Sequence, residues 1–173
     1  MFSSPFGVPE EHLIPTDCEI VVVADLFAED YLGGAELTTK ALIDSSPFRV
    51  HKVHSKKVTL KTLESGYNKF WIFTNFSAMD MQLIPTIVAN LKYSIVEYDY
   101  KFCRYRSIEK HKNIEMKNCD CAEEMHGKLT STFFHAAKTV HYMSYAQMHR
   151  YFDRFPFLAN PDEGSNQNVL SSA

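Results

Sequence analysis

No apolar run in this sequence reaches the roughly 20 residues of a membrane-spanning helix, and residues 1–17 carry acidic groups and three prolines where a secretory leader has a basic start and an apolar middle. The expected address is the cytoplasm. An excess of one charge is missing as well: 18 Lys and Arg stand against 21 Asp and Glu, a formal net charge of −3. That balance excludes wholesale electrostatic attraction to nucleic acid or anionic lipid. There is no Gly-x-Gly-x-x-Gly after the first strand, no phosphate-binding Gly-Lys-Ser/Thr loop, no Gly-x-Ser-x-Gly elbow and no His-Glu-x-x-His. The common nucleotide-enzyme and hydrolase chemistries therefore lack their anchors. Internal repeats are absent, and low complexity is confined to a polar, Asn-rich stretch beyond Pro156.

What is present suits one domain. The 173 residues, 45% hydrophobic and 23% charged, can bury one good core and are too few for two comfortable ones. After an irregular leader at 1–17, short β-branched or aromatic runs alternate with segments of helical period from residue 18 to 173. That alternation predicts an α/β fold, a single Rossmann-like domain with a mostly parallel sheet flanked by helices. Strands are expected at 19–24, 49–54, 70–74 (central), 93–98 and 140–143. A further strand, or the start of a connection, is expected at 169–172. Helices are expected at 36–43 (Leu37, Ala41 and Leu42 on one side), 59–65, from a capping box at Ser77–Asp80 toward Leu91, at 127–137, and from Ser144 through Phe152. Pro85 either kinks its helix or marks the true first turn. Residues 101–124 read as a long, polar, loop-like connection.

In an open parallel sheet, ligands collect where strands end and helices begin. Gly33-Gly34-Ala35-Glu36 occupies such a place after the first strand. Two residues without a Cβ let the chain turn and let another molecule approach the main chain. The helix start adds unpaired amides and a partial positive charge that suit a phosphate, a carboxylate or a sugar hydroxyl. A tight turn with ordinary helix-start chemistry is the alternative. The same rim is expected to hold Asp25, Asn75, Ser77, Glu97, Asp99 and Ser144. Ser77 and Ser144 read at least as well as helix caps, and Glu97 and Asp99 as solvated loop starts.

The connection after the fourth strand contains Cys103, Cys119, Cys121, His111 and His126. Three thiols and two imidazoles in one segment can close a tetrahedral zinc site of structural kind. Unliganded thiols are an equal reading, and a disulfide is the third; without a secretion signal, thiols or a metal come before disulfides. Arg104 and Arg106, beside Cys103, suit an anionic ligand or a solvated surface.

Taken with the first strand, Thr74-Asn75-Phe76, Glu97-Tyr98-Asp99 and the strand running into Ser144, the Gly33–Glu36 loop resembles the amino-terminal domain of GT-B fold retaining glycosyltransferases that use nucleotide-sugar donors. The likeness extends from about Cys18 to Leu158. It implies an acceptor-side domain of an enzyme that moves a sugar from a nucleotide diphosphate to a carbohydrate or lipid-linked acceptor. Gly33 and Gly34 would give close backbone approach, and Glu36 would orient the loop or a hydroxyl. It also implies a second, donor-binding domain or a partner chain, without which the domain is expected to be inactive, and a surface that another copy can cover. The Cys/His cluster is no general feature of that family. A non-catalytic, metal-stabilised binding or interaction module on the same fold is the competing expectation, and a small zinc-dependent enzyme the third.

Overall fold

The computed structural model describes residues 11–159 and 166–170. At its centre six strands, β1 (Ile20–Ala24), β2 (Val50–His54), β3 (Phe70–Phe73), β4 (Lys92–Glu97), β5 (Val140–Tyr142) and β6 (Gln167–Val169), form one sheet in the order β2-β1-β3-β4-β5-β6. Every pairing is parallel. The helices α1 (Gly34–Asp44), α2 (Leu60–Ser65), α3 (Ile84–Asn90), α4 (Ile108–Glu115), α5 (Met125–Ala136) and α6 (Tyr145–Arg154) supply the crossovers. The architecture is α/β, with an all-parallel sheet flanked by helices, consistent with a single Rossmann-like domain. Among the described residues no helix is long and apolar enough to cross a membrane.

Strand alternation sorts the core into two layers. Val21, Val23, Trp71, Phe73, Tyr93 and Ile95 point to one face and pack with Leu63 of α2, Ile84 and Ile87 of α3, Phe133 and Phe134 of α5, and Tyr151 of α6. Phe133 stacks on Tyr93 at 4.7 Å and meets Phe73 edge-on at 5.1 Å, while the Tyr93 hydroxyl donates to the Phe133 carbonyl at 2.6 Å. Burying each such ring contributes roughly 1.5–3 kcal/mol, so this layer dominates the stability. Val22, Ala24 and Phe27 form the thinner layer on the other face, covered by Ile43 of α1.

Several local expectations change. In α1 the inward residue is Thr39, whereas Leu37, Ala41 and Leu42 are exposed; the polar Thr39 is tolerated because its hydroxyl bonds Tyr98 at 2.9 Å. Ser77 does not cap a helix, because its amide and hydroxyl are bound by Asp25. Asp80 instead caps a 3-10 turn at Met81–Leu83, and Pro85 sits in the first turn of α3, where its missing N–H costs nothing. The connection read as a loop contains α4, capped by Ser107 through the Lys110 amide. The end of the leader also belongs to the fold: Ile14 is buried in the core and its amide bonds Ser65. Residues 1–10, 160–165 and 171–173 lie outside the described residues, and the last strand falls slightly earlier than expected, at Gln167–Val169.

Candidate functional site

The direction of chain progression reverses between β1 and β3: β2 lies on one side of β1 and the remaining strands on the other. The crevice beyond the carboxyl ends of these two strands is the topological switch point. Asp25 terminates β1 there. Its carboxylate accepts from the Ser55 and Ser77 hydroxyls, each at 2.5 Å, from the Ser77 amide at 3.0 Å and from the Ala78 amide at 3.1 Å. One side chain thus ties the ends of β1, β2 and β3 together. Arg106 spans the crevice, with one guanidinium nitrogen 3.2 Å from Asp25 and the other 2.8 Å from the Asn75 side-chain oxygen Oδ1 and 2.6 Å from Asp99.

Arg106 has φ +56°, one of two non-glycine residues with positive φ among those described. Such a backbone costs an L-residue roughly 1–2 kcal/mol, which the guanidinium's contacts with Asp25, Asn75 and Asp99 and the hydrogen bonds of its turn offset. Burial acts to raise the Asp25 carboxyl, but the Ser55, Ser77 and Ala78 donors outweigh it and hold the group below its ordinary value of 3.8. The unfolded chain therefore takes up this proton first on acidification. The stability that Asp25 contributes is fully present above 3.8 and is lost as pH falls through the depressed folded value. Asp25→Asn is expected to flatten this part of the acid limb of urea midpoint against pH. An unchanged slope below pH ~4 would reject the assignment.

Gly33 is the N-cap of α1, and no side chain caps this helix. Gly33 and Gly34 serve different purposes. A Cβ on Gly33 would strike the Glu36 carboxylate and the Tyr31 ring, whereas one on Gly34 would meet nothing within 4 Å. Gly34 therefore faces open space, with Ala35 and Glu36 completing the first turn. Tyr98, following β4, reaches across to Thr39 of α1; burial chiefly, and the Glu36 charge in part, push its hydroxyl up to about 12. Leu26, Tyr31, Leu32 and Leu37, which flank the loop in sequence, are exposed.

The structure thus brings Asn75 and Asp99 together with Asp25 and Arg106, and sets the Gly33–Glu36 turn beside Tyr98. It does not bring Glu97 or Ser144 to this crevice. Glu97 is fully buried, bonded to Lys101 Nζ at 2.6 Å, to the Asp99 amide and to the Tyr151 hydroxyl, so it braces the interior and does not face a ligand. Ser144 is exposed and caps α6 through the Gln147 amide. Arg106, left among solvated alternatives by its sequence position, is the main residue of the crevice. Its positive φ has no sequence signal because the residue is not glycine.

A cleft of about 230 Å³ opens beside this crevice, lined by Phe76, Ser77, Lys101, Arg104, Arg106 and His126, with Cys103 at its edge. The cations there are already paired, Lys101 with Glu97, Arg104 with Glu124 and Arg106 with Asp25 and Asp99, so the cleft is polar without a large net charge. A larger cavity of about 470 Å³ lies between α2 and α3 at the opposite, amino-terminal end of the strands, away from these groups.

Cys103, His111, Cys119 and Cys121 form a group beneath the cleft that can hold a metal ion such as zinc, their ligand atoms all lying within 4.8 Å of one another. His126 is not part of it; its Nε2 bonds the Lys101 carbonyl at 2.7 Å. Cys18, Cys103, Cys119 and Cys121 form no disulfide. Burial first, and the neighbouring Cys103 and Cys121 thiols after it, push Cys119 up to about 12. No protein family matches this chain in sequence, and no curated protein matches it.

Proposed function

We propose that the chain is the acceptor-side domain of a GT-B type glycosyltransferase, part of an enzyme that moves a sugar from a nucleotide diphosphate to a carbohydrate or lipid-linked acceptor. The observation that carries this reading is the start of α1. It has no side-chain cap and is open at Gly34; Tyr98, at the end of β4, bonds the same helix at Thr39, and Asn75 and Arg106 meet at the switch point. Amides at a helix start stabilise a departing diphosphate without a protein cation. Paired carboxylates, a guanidinium and aromatic rings beside them suit the hydroxyls and apolar faces of a sugar. The nucleotide itself is held by a second domain in this reading, facing the exposed Tyr31, Leu32 and Leu37 beside Gly33. Zinc is structural in this reading, and nucleotide sugar is the donor substrate.

The Cys3His group favours the second reading, a metal-stabilised binding module without catalysis. Titration of the isotope-labelled chain with a panel of nucleotide diphosphate sugars and free oligosaccharides separates the two. The transferase reading expects millimolar binding (about −4 kcal/mol) with resonance shifts at 33–36, Asn75, Tyr98 and Arg106. Gly34→Val is expected to weaken it at least about tenfold with an unchanged melting temperature, because the new side chain enters open space. Shifts confined to other surfaces, or equal affinity in the variant, would refute the assignment.

A further inference from the structure

We infer that Cys103, His111, Cys119 and Cys121 hold one Zn²⁺ ion, and that this ion is the latch that keeps Arg106 at the switch point. The inference is independent of which ligand the crevice takes.

The donor set has the dimensions of a single tetrahedral ion. His111 Nδ1 lies 3.6 Å from Cys103 Sγ and 3.5 Å from Cys121 Sγ. With Zn–S near 2.3 Å and Zn–N near 2.0–2.1 Å, a tetrahedral site has sulfur-to-nitrogen edges of about 3.6 Å. An iron–sulfur cluster, with several metal atoms between its cysteines, needs a wider cage. Without an ion, one imidazole nitrogen faces two thiols and can exchange a hydrogen with only one of them.

The surroundings have the features of a metal site's outer shell. His111 is fully buried, its Nε2 makes no hydrogen bond, and Asp120 Oδ1 stands 3.6 Å from it. When a metal takes Nδ1, the ring proton resides on Nε2, and a nearby carboxylate fixes the tautomer. Three thiolates around Zn²⁺ carry one net negative charge. The Arg104 guanidinium, next to Cys103 in the chain and within electrostatic reach of Cys121, is a cation that can offset part of that charge.

The connection to Arg106 is covalent and short. Cys103 and Arg106 belong to one turn, in which the Cys103 amide donates to the Tyr100 carbonyl at 2.8 Å, the Arg106 amide to the Cys103 carbonyl at 2.8 Å, and the Tyr100 amide to the Arg106 carbonyl at 3.3 Å. His111 lies on α4, immediately after this turn. An ion bound to Cys103 and His111 fixes the chain on both sides of Arg106 and so maintains its unfavourable positive φ. The guanidinium then reaches Asp25, Asn75 and Asp99.

Elemental analysis and hydrogen exchange of the whole chain test both parts. Protein purified with zinc present should hold about one equivalent. Cys18→Ser should keep it, His111→Ala and Cys119→Ser should lose it, and His111→Cys, which restores four ligands, should retain it. Stripping the ion with a strong chelator should raise amide exchange at 100–107 and 121–128 at least about tenfold and leave β1 and β3 protected. Less than about a tenth of an equivalent of zinc, or iron accompanied by sulfide, would overturn the site. Metal loss with unchanged exchange at 100–107, or with equal loss of protection in β1 and β3, would overturn the latch.

Discussion

Lys101→Met is expected to destabilise the domain by about 3–5 kcal/mol. Lys101 is buried, and its Nζ donates to Glu97 at 2.6 Å while standing 3.5 Å from Asp99. Its backbone amide also donates to the Tyr151 hydroxyl at 3.1 Å, which in turn donates to Glu97. Removing the ammonium leaves a fully buried carboxylate with only neutral donors, the Asp99 and Lys101 amides and the Tyr151 hydroxyl. Burial already pushes the Glu97 carboxyl upward and Lys101 opposes that shift, so in the variant the group should hold its proton to a higher pH. An acid whose folded value exceeds its ordinary 4.5 binds more protons when folded. The contribution of Glu97 to the variant's stability should therefore become less favourable as pH rises through the window above 4.5. A Glu97→Gln, Lys101→Met double variant should recover part of the loss, since a pair of neutral groups avoids the unpaired charge. Urea midpoints from pH 5 to 8 check this. A loss under about 1 kcal/mol in the single variant would mean that the pair behaves as a surface pair.

Gly127→Ala carries the second large effect, with a sign opposite to propensity. In an open helix the change would stabilise by about 1 kcal/mol. Here a Cβ would stand 2.7 Å from Ala122 Cα and closer still to the Cys121 carbonyl oxygen. Both are backbone, which cannot rotate away. The 3-10 turn at Cys121–Glu123 and the first turn of α5 must separate, for a net loss of about 2–3 kcal/mol, or about 5–10 °C in melting temperature. Because Cys121 moves with that turn, zinc retention should fall as well. An unchanged or raised melting temperature would show that the turn relaxes freely.

The alternation of apolar runs and helical segments made the parallel sheet legible, because strands buried on both faces must be apolar throughout. Phe70–Phe73 and Val21–Ala24 are plain cases. The Cys/His inventory was legible too, although His126 was drawn in by chain proximity and only packing assigns it to a carbonyl. Glu97 misled because a carboxylate at a strand end reads as exposed. Its burial depends on Lys101 and Tyr151, the latter 54 residues away in sequence, and no local pattern announces such a partner. α4 was missed since its sequence is polar nearly all round, its inward residue being His111. Ser77 carried a genuine cap signature, but Asp25 offered its hydroxyl and amide a stronger, charged acceptor.

The two outer strands of the sheet bear on how the chain avoids sticking to itself. A bare strand edge is a template for adding another strand, and proteins blunt it with shortness or with charge. β6 is three residues long. β2 carries Lys52 at its middle, bonded to Glu29 at 2.6 Å, and His54, bonded to Asp30 at 2.7 Å, so that a charged fringe borders that edge. Aggregation by backbone zippering is disfavoured at both edges, which leaves side-chain surfaces such as Tyr31 and Leu32 as the adhesive part of the molecule.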